Sequence, residues 1–433
     1  MKKLILLLIC ILTAVSLFGC GESDSQGLKF ELKDDGTFAV SVGNATELSE
    51  IVIPSTYLGK PVSEIATDGF SSRKNGDLSL TKIIIPDSVT VIGDHAFYGC
   101  SGLTEITLPA SVTSIGSSAF GRCTGLTEMI IPDGVISIGA SAFGHCTSLE
   151  SVTIPDSITN IGSSAFENCS SLEDVYITDV EKWCNISFAG SYAIPLYYAN
   201  NLYLNGELIT DLVIGNGVET IPSYAFSCNN IITATITDGV TNIATSAFEN
   251  CIGLTDVTIP DSVTNIGPNA FYNCSSLTEV TIPDSVVAIG FCAFNGCSEL
   301  TTITVPFVGA TKDGKKNTHF GYIFGASKYS EHSSHVPKSL KSVIITNSAT
   351  VIDEHAFRNC ANLESVTVGK YVTRIGIFAF YGCSELKSIT FVRNIGWFRT
   401  ISYTSSGLEV DVKDPSTNAN NLKKYYGNYW YRL

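Results

Sequence analysis

A short alternation of apolar and polar residues recurs along almost the whole chain. In the copy at 103–109, Leu-Thr-Glu-Ile-Thr-Leu-Pro, apolar Ile106 and Leu108 alternate with polar neighbours, and Pro109 ends the segment. This period of two is typical of a strand with one buried face, and proline stops such a strand because it has no N–H to donate. Nine of the thirteen intervals between copies are 23 residues, so the pattern predicts a repeat protein. The leading residues of the copies are at 48, 80, 103, 126, 149, 172, 209, 231, 254, 277, 300, 340, 363 and 386.

The second half of each copy indicates how one repeat packs on the next. A turn follows the strand, then a second apolar pair such as Val112 and Ile115, and then the sequence Ala-Phe-x-x-Cys. A single coil cannot bury this many apolar side chains, so successive coils must stack with equivalent strands side by side. We therefore predict a β-rich solenoid with a parallel β-ladder and about 13 coils. The phenylalanines expected in its core are Phe97, Phe120, Phe143, Phe166, Phe248, Phe271, Phe294, Phe357 and Phe380, and Phe226 has the same place in its repeat.

The repeat string resembles that of a known family. Leu-Thr-x-Ile-x-Ile-Pro-Asp-Ser-Val-Thr-x-Ile-Gly-x-x-Ala-Phe-x-x-Cys is similar to the 23-residue repeat of BspA-like bacterial surface proteins, a branch of the leucine-rich repeat proteins. The similarity covers nearly all of residues 28–391. It implies a right-handed leucine-rich repeat coil in an exported or surface-anchored protein. Some members are adhesins, so the resemblance also implies binding to proteins or surfaces, without implying any one ligand.

The N-terminal residues are typical of a lipoprotein leader. Lys2 and Lys3 precede an apolar run of fourteen residues, which has the length of a signal-peptide core and is short for a membrane span. The run ends in Leu-Phe-Gly-Cys, which resembles the lipobox of bacterial lipoproteins and predicts lipidation at Cys20. We expect a signal peptide at 1–19, a flexible tether at 20–27, and a mature protein lipid-anchored to the membrane and facing the cell exterior. The alternative is an ordinary secreted protein in which Cys20 is incidental.

Composition narrows the range of partners. The chain has 41 Asp and Glu against 26 Lys and Arg, a formal net charge of -15. This charge would repel nucleic acid and anionic lipid surfaces, so basic or neutral partners are more plausible. Only 15% of residues are charged and 44% are apolar, which leaves material for a long continuous core. We expect a monomer that binds an extracellular protein or glycan.

Two repeats are longer than the others and interrupt the pattern. They occupy 172–208 and 300–339 of a solenoid at 48–391, which lies between an N-terminal cap at 28–47 and a C-terminal cap at 392–433. We expect both to project and to carry recognition, because they hold unusual aromatic and basic side chains. The candidate binding residues are Trp183, Tyr192, Tyr197, Tyr198, Tyr203, Lys312, Lys315, Lys316, Phe320, Tyr322 and Tyr329. The alternative is that both segments fold back over coils that their extra length leaves mismatched.

Outward positions of the predicted ladder form an acidic face. Glu105, Glu128, Asp256 and Glu279 occupy equivalent places in their repeats. Such a face would attract a basic partner at long range, but its repetition offers little specificity. We expect the two long repeats, rather than this face, to select the ligand.

Ten of the 14 cysteines form a column at the end of the repeat. They follow the repeat phenylalanine by three residues, or by two at Cys228. Side chains in one column point in parallel, which disfavours disulfides and favours free thiols packed as small apolar groups. Bridges between neighbouring coils are the alternative.

No pattern of catalytic residues stands out. The sequence has no nucleophile elbow, phosphate loop or HExxH motif, so we expect neither an enzyme nor a cofactor. Glu331, His332 and His335 could form a small metal cluster, and aspartates repeated at the turn could align for calcium, although turn capping explains them without an ion. These aspartates are Asp87, Asp133, Asp156, Asp238, Asp261 and Asp284. A structural spacer without a ligand, and a hydrolase with its site in an insertion, are the other functions left open.

Overall fold

Two parallel β-ladders run along the molecule, as the repeat predicts. This computed structural model describes residues 27–76, 78–215, 217–314, 317–401 and 408–432. The first ladder contains the strands Glu50–Val52, Lys82–Ile84, Glu128–Ile130, Ser151–Thr153, Asp174–Ile177, Asn201–Leu204, Asp211–Ile214, Thr233–Ile236, Asp256–Thr258, Glu279–Thr281, Thr302–Val305, Ser342–Ile345, Ser365–Val368 and Ser388–Phe391. The second contains Lys60–Ile65, Val91–Ile92, Ser114–Ile115, Ser137–Ile138, Asn160–Ile161, Ser187–Phe188, Thr220–Ile221, Asn242–Ile243, Asn265–Ile266, Ala288–Ile289, Val351–Ile352 and Arg374–Ile375.

Equivalent residues of successive repeats lie side by side in these ladders. Ser151 pairs with Glu128 in parallel register, and Val152 pairs with Met129. A bridge between Ile84 and Thr107 continues the first ladder through the third coil. The predicted β-solenoid is therefore confirmed, with about 15 coils rather than about 13.

A column of stacked phenylalanine rings forms the centre of the core. The nine phenylalanines predicted for the core are buried, and so is Phe226. The rings of Phe97 and Phe120 are nearly parallel, with centroids 5.4 Å apart. Phe70 extends the column towards the N-terminus, 5.5 Å from Phe97. Burying one such ring contributes about 1.5–3 kcal/mol, so the column joins the coils into a single core.

The turn that carries each phenylalanine is hydrogen-bonded to the next coil. The N–H of Phe97 donates to the carbonyl of Ala119 at 2.7 Å, and the N–H of Phe120 donates to Ala142 at 2.8 Å. Two positions before the phenylalanine the backbone is left-handed, with a φ of 51° at Ser118. This conformation costs free energy for a residue with a side chain, so the bonds between coils must hold it in place.

One repeated hydrogen bond explains the cysteine column. Sγ of Cys123 donates to the carbonyl of Phe97 in the preceding coil at 3.1 Å, and Cys146 makes the same contact with Phe120 at 3.0 Å. Both phenylalanine carbonyls also accept the N–H of the cysteine in their own coil, so each uses two lone pairs. The cysteines of the described residues are free thiols. Burial raises the pKa of the Cys146 thiol to about 12, so at neutral pH it stays protonated and unreactive.

The first long repeat does not project but contains a complete extra coil. Its strand Asn201–Leu204 joins the first ladder beside Asp174–Ile177, and its strand Ser187–Phe188 joins the second. The 27 residues from Asp174 to Asn201 suffice to pass once round the stack, and this path buries apolar side chains that a loop would expose. The remaining elements are the helix Val180–Cys184, the 3₁₀ turns Ser191–Ala193 and Pro195–Tyr197, and the strand Glu207–Leu208, which follows a hairpin turn at Asn205 and Gly206.

Trp183 repairs a gap that this extra coil leaves in the core. The coil has no column phenylalanine, because the N–H of Phe166 donates to Tyr192 and so aligns Ala193 with the phenylalanine position. The buried indole N–H of Trp183 donates to the carbonyl of Ala225 at 2.9 Å. In a regular pair of coils that carbonyl would accept a phenylalanine N–H. Trp183 therefore supplies both the missing donor and apolar volume.

The second long repeat also stays in the stack, as one irregular coil. Strand Ser342–Ile345 pairs directly with Thr302–Val305, and an antiparallel bridge joins Ala288 to Thr311. Phe320 enters the phenylalanine column, with its ring 4.9 Å from that of Phe357. The expectation of projecting loops is thus wrong for both long repeats, because each can bury aromatic side chains between coils. The helical elements here are Phe320–Phe324, Tyr329–Glu331 and His332–His335.

Both ends of the solenoid are covered. At the C-terminal end, the side-chain amide of buried Asn418 donates to the carbonyls of Ile389 and Val412, both at 2.9 Å. Because Ile389 lies in the last strand of the first ladder, this contact satisfies a carbonyl at an open edge. No helix among the described residues is long and apolar enough to cross a membrane. At the N-terminal end, the strand Phe38–Ser41 pairs in parallel with Lys60–Ile65 of the second ladder. The remaining elements are the strands Lys29–Leu32, Thr56–Tyr57, Trp397–Thr400, Leu408–Val410 and Tyr429–Arg432, and the helices Ser72–Asn75 and Pro415–Lys424.

Replacing Trp183 tests its role as a substitute donor. Trp183→Phe keeps an aromatic ring but leaves a buried carbonyl without its donor, and should lower the free energy of unfolding by about 1–3 kcal/mol. Trp183→Ala also leaves a cavity and should cost about 3–5 kcal/mol. Urea unfolding, read together with hydrogen exchange in the neighbouring coils, measures both. Val213→Ala on the exposed ladder face is the control, with a change below about 0.5 kcal/mol. A silent Trp183→Phe variant would show that this bond is not needed.

Candidate binding surface

Aromatic side chains gather along one edge of the solenoid. This edge, the turn edge, is formed by the Ala-Phe-x-x-Cys turns of successive coils. The buried phenylalanine of each turn is flanked by a residue two positions before it and one directly after it. At Tyr224, Phe378 and Tyr381 these flanking positions hold aromatic residues that are half-buried or exposed. The turn edge can therefore present rings at fixed spacing without disturbing the core.

Four tyrosines of the turn edge form the tyrosine cluster. The rings of Tyr192 and Tyr198 lie 5.1 Å from Tyr197 and 6.4 Å from each other, and Tyr224 of the next coil lies 5.4 Å from Tyr197. Tyr192 is 42% exposed and Tyr197 is 40% exposed. Burial raises the pKa of Tyr197 and Tyr198, so both hydroxyls stay neutral at physiological pH. The hydroxyl of Tyr198 accepts the N–H of Asn168 at 3.0 Å, which fixes its ring.

A second group, the arginine cluster, lies nearer the C-terminal end of the same edge. The guanidinium of Arg358 lies 5.2 Å from the ring centroid of Tyr329, 5.7 Å from Phe378 and 5.1 Å from Tyr381. The imidazole of His355 stacks on Tyr329 at 4.0 Å. Tyr426, from the C-terminal cap, completes the cluster with its ring 4.9 Å from Tyr381. The exposed fractions are 37% for Tyr329, 38% for Tyr381 and 44% for Tyr426.

Two candidate residues from the sequence cannot contact a ligand in this structure. Trp183 and Phe320 are buried, with 1% of each side chain exposed, because both fill the core of irregular coils. Tyr322 is half-buried and packs against Phe291, with ring centroids 5.3 Å apart. These side chains shape the long repeats rather than their surface.

The other candidate residues are spread over the surface. Tyr192, Tyr197 and Tyr198 meet in the tyrosine cluster. Tyr203 instead lies on the first ladder, where it stacks on the ring of Tyr176 in the preceding coil at 4.6 Å. The exposed Lys312 donates to a backbone carbonyl of the neighbouring turn at 2.9 Å. The remaining two candidates, Lys315 and Lys316, lie outside the described residues.

Sequence reasoning did not identify five residues of these clusters, all of which occupy positions that flank a column phenylalanine. They are Tyr224, His355, Arg358, Phe378 and Tyr381. Each lies two residues before or one residue after a column phenylalanine. The same register identifies these variable positions in every coil, so this signal was available in the sequence. No signal in the sequence indicates the contact between Tyr381 and Tyr426, because Tyr426 belongs to the C-terminal cap, outside the repeat.

The outward face of the first ladder offers repeated negative charge. Glu105, Glu128, Asp256 and Glu279 are exposed, as expected. The first two, like the last two, belong to neighbouring coils and are separated by about the strand spacing of 4.8 Å. The face is therefore suited to weak, long-range attraction of cations rather than to selection of one ligand.

The residues suspected of metal binding do not converge. The described part of the chain holds no group of three or more His, Cys, Asp or Glu side chains arranged to bind a metal ion. His332 is buried inside the irregular coil, whereas the imidazole of His335 lies 3.0 Å from the carbonyl of Glu331. At the turn, the hydroxyl of Thr178 donates to Asp156 at 2.6 Å, which uses that aspartate in a bond between coils.

His332 instead forms a buried pair with His319. Nε2 of His332 lies 3.0 Å from Nδ1 of His319 and 3.3 Å from the N–H of Gly321. Because the backbone N–H can only donate, we assign Nε2 as the acceptor and place the His332 proton on Nδ1, 3.7 Å from Sγ of Cys360. Burial, together with the neighbouring His319, lowers the pKa of His332 to about 4. The adjoining cleft, lined by Phe320 and Cys360, has a volume of about 10 Å³, too small for an organic ligand.

This histidine pair should make the fold acid-sensitive. The folded protein keeps His332 neutral down to about pH 4, whereas the unfolded chain takes up the proton near the ordinary pKa of 6.5. Stability is therefore complete above about pH 6.5 and falls as the pH drops towards 4, by up to about 3 kcal/mol. Urea unfolding at several pH values should show this loss, and His332→Gln should reduce it. His145→Gln, an exposed histidine, is the control; an unchanged pH profile for His332→Gln would contradict the assignment.

The repeats match a known family, and the chain is also similar to several solved structures. The BspA type leucine rich repeat region matches residues 63–194, 199–312 and 332–423 in 6 copies. A leucine-rich repeat protein from Bacteroides ovatus is 25% identical over 86% of this chain and 94% of its own, with a TM-score of 0.46. A leucine rich cell surface protein from Faecalibacterium prausnitzii is 23% identical over 87% and 96%, with a TM-score of 0.37. The pneumococcal vaccine antigen PcpA is 20% identical over 80% and 93%, with a TM-score of 0.45.

Among curated proteins, a search finds none with a matching sequence. The family match stands on the repeats themselves and extends over well more than half of the chain. The same stretches contain the ten repeat phenylalanines from Phe97 to Phe380, the cysteine column and most strands of both ladders. The chain therefore belongs to the BspA type leucine-rich repeat proteins.

Proposed function

We propose that the protein is exported, anchored to a membrane by lipid on Cys20, and binds an extracellular protein or glycan through the turn edge. The observation that carries the binding proposal is the pair of exposed aromatic clusters on this edge. Tyrosine rings bring large contact area at a low cost in side-chain entropy, which suits them to recognition. Repeats of this family often mediate binding, which supports the same reading.

The turn edge fits this role better than the ladder face. Core packing requires the phenylalanine and cysteine of each turn, but not a ring at the flanking positions of Tyr224 or Phe378. From Tyr224 to His355 there are five coil intervals, about 24 Å at the strand spacing. Two rigid aromatic clusters at that separation could engage one extended ligand at two places, and simultaneous engagement raises affinity.

A matched set of variants tests the turn edge. The mature protein is screened against mucins, matrix proteins and glycans, and the affinity for any ligand found is measured by biolayer interferometry. Tyr192→Ser with Tyr197→Ser, or Tyr381→Ser with Tyr426→Ser, should weaken binding at least about tenfold, equivalent to about 1.4 kcal/mol. The control, Ile130→Ser with Val213→Ser, removes exposed apolar side chains from the ladder face and should leave affinity unchanged.

Other outcomes point to other functions. Retained affinity in both turn-edge variants, with loss on neutralising Glu105, Glu128, Asp256 and Glu279, would move the site to the ladder face. Absence of any ligand would favour a structural spacer.

Lipid attachment has a separate test. Cys20 lies outside the described residues, so this part of the proposal rests on the leader and the lipobox-like sequence. Cys20→Ser should abolish labelling with an alkyne fatty acid and move the protein from the membrane fraction to the soluble one, because acyl chains supply the anchor. Cys10→Ser, a cysteine within the leader, is the control and should stay membrane-bound. Unchanged detergent partitioning of Cys20→Ser would contradict lipidation.

A further inference from the structure

Arg358 occupies an unusual place in this acidic protein. Its guanidinium is half-buried among Tyr329, Phe378 and Tyr381, as described above. Among the described residues, its side chain makes one polar contact, from Nη1 to Nδ1 of His355 at 3.3 Å. Its Nε is buried and has no hydrogen-bond partner. A guanidinium has five N–H donors, so most of its bonding capacity is unused by the described residues.

Carboxylates of the same coil do not neutralise Arg358. Asp353 forms an ion pair with Arg374, with the atoms 3.0 Å apart. The carboxylate of Glu354 accepts the hydroxyl of Tyr429, also at 3.0 Å. Within the described ranges Arg358 has no salt bridge. An arginine held between aromatic rings therefore presents its charge to the surface of the turn edge.

The chemistry of this site defines what it can hold. The planar fork of a guanidinium bonds a carboxylate or sulfate through two parallel hydrogen bonds, and stacking on aromatic rings keeps the fork in place. The neighbouring rings of Tyr381 and Tyr426 are exposed and can pack against the C–H face of a sugar ring. An acidic sugar combines these two features in a single sugar unit: an anionic group and a flat apolar ring face.

We propose that the arginine cluster binds a carboxylated or sulfated sugar residue of a glycan, with the anionic group on Arg358 and the sugar ring on Tyr381 and Tyr426. This inference rests on the proposed recognition function and specifies its ligand at one end of the turn edge. An acidic peptide is a weaker fit, because an aspartate or glutamate side chain supplies the anion without a flat apolar face for the exposed rings of Tyr381 and Tyr426.

The net charge of -15 does not prevent this binding. At physiological ionic strength the screening length is about 8 Å, so carboxylates on the ladder face contribute little at the turn edge. A charge-assisted hydrogen bond at contact distance is screened far less. The expectation of basic or neutral partners, drawn from total charge, thus does not extend to this local site.

The test uses the mature full-length chain with Cys20→Ser to keep it soluble. Calorimetry at 0.15 M salt measures binding of four probes: a sulfated heparin hexasaccharide, a carboxylated polygalacturonate hexasaccharide, neutral cellohexaose and hexaglutamate. We expect one or both anionic sugars to bind more tightly than cellohexaose and hexaglutamate, and the sulfated and carboxylated probes distinguish the two anionic groups.

Arg358→Gln should weaken that binding tenfold or more, and Tyr381→Leu should weaken it while leaving the thermal unfolding curve unchanged. Arg122→Gln is the matched control, because it removes one positive charge from an exposed position on the same edge. Its expected change in affinity is less than twofold. Rescue of part of the affinity by Arg358→Lys would support a contact with charge.

Several results would overturn the inference. Equal losses for Arg358→Gln and Arg122→Gln would reduce the effect to general charge attraction. Tighter binding of hexaglutamate would assign the site to acidic peptides, and no binding of either anionic sugar would remove the assignment. If the ligand screen yields a partner whose affinity depends on the tyrosine cluster but not on Arg358, the proposed recognition function stands and this inference fails.

Discussion

The hydrogen bond from each phenylalanine N–H to the next coil is the constraint on which the rest of the structure depends. It holds the turn in register while the backbone two residues earlier is left-handed, as at Ser118. Once the turn is fixed, its ring must stack on the ring of the next coil, as Phe97 does on Phe120. The phenylalanine carbonyl is then left facing the following cysteine, whose thiol satisfies it. Ring column and cysteine column are thus two consequences of one backbone contact.

Both irregular coils preserve this contact by other means. Trp183 replaces a missing backbone donor with an indole N–H, and Phe320 donates its own N–H to Ala356 at 2.8 Å although its coil lacks the Ala-Phe-x-x-Cys sequence. In the coil that follows, Sγ of Cys360 lies 3.7 Å from Nδ1 of His332, a contact that the regular coils do not have. A solenoid tolerates changes in coil length because stability is roughly a sum over neighbouring interfaces, provided that each interface keeps its polar groups paired.

The regular part of this fold could be predicted from sequence because equivalent residues of successive repeats make the same contacts. Phe271 is assigned correctly by register alone, and so are its neighbours in the column. The extra coil was missed because it ends in Ala193 rather than in a phenylalanine, although Asn-Leu-Tyr-Leu at 201–204 repeats the alternation of Asp-Val-Tyr-Ile at 174–177. Length beyond 23 residues is compatible with a projecting loop, but burial of Trp183 favours another coil of the stack.

The candidate site was less predictable, for a physical reason. The tyrosines of the first long repeat could be named from composition, but their contact with Tyr224 depends on how an irregular coil aligns with a regular one. The arginine cluster joins three separate parts of the chain, since Phe378 donates its N–H to the carbonyl of Tyr426 in the C-terminal cap at 2.6 Å. The position of a residue within its repeat predicts whether core packing needs its side chain. Which of them meet is decided by the irregular coil and the cap, where the repeat no longer applies.

A repeat protein can change its ligand without changing its fold at positions whose side chains are not needed for core packing. Substituting a residue beside a column phenylalanine leaves the inter-coil bond, the ring stack and the thiol contact intact. Attachment of the cap requires the backbone of Phe378 and Tyr426, but it does not require their rings, nor an arginine between them. The aromatic surround of Arg358 is therefore not accounted for by folding, and the unused donors of its guanidinium are the reason to seek its role in binding.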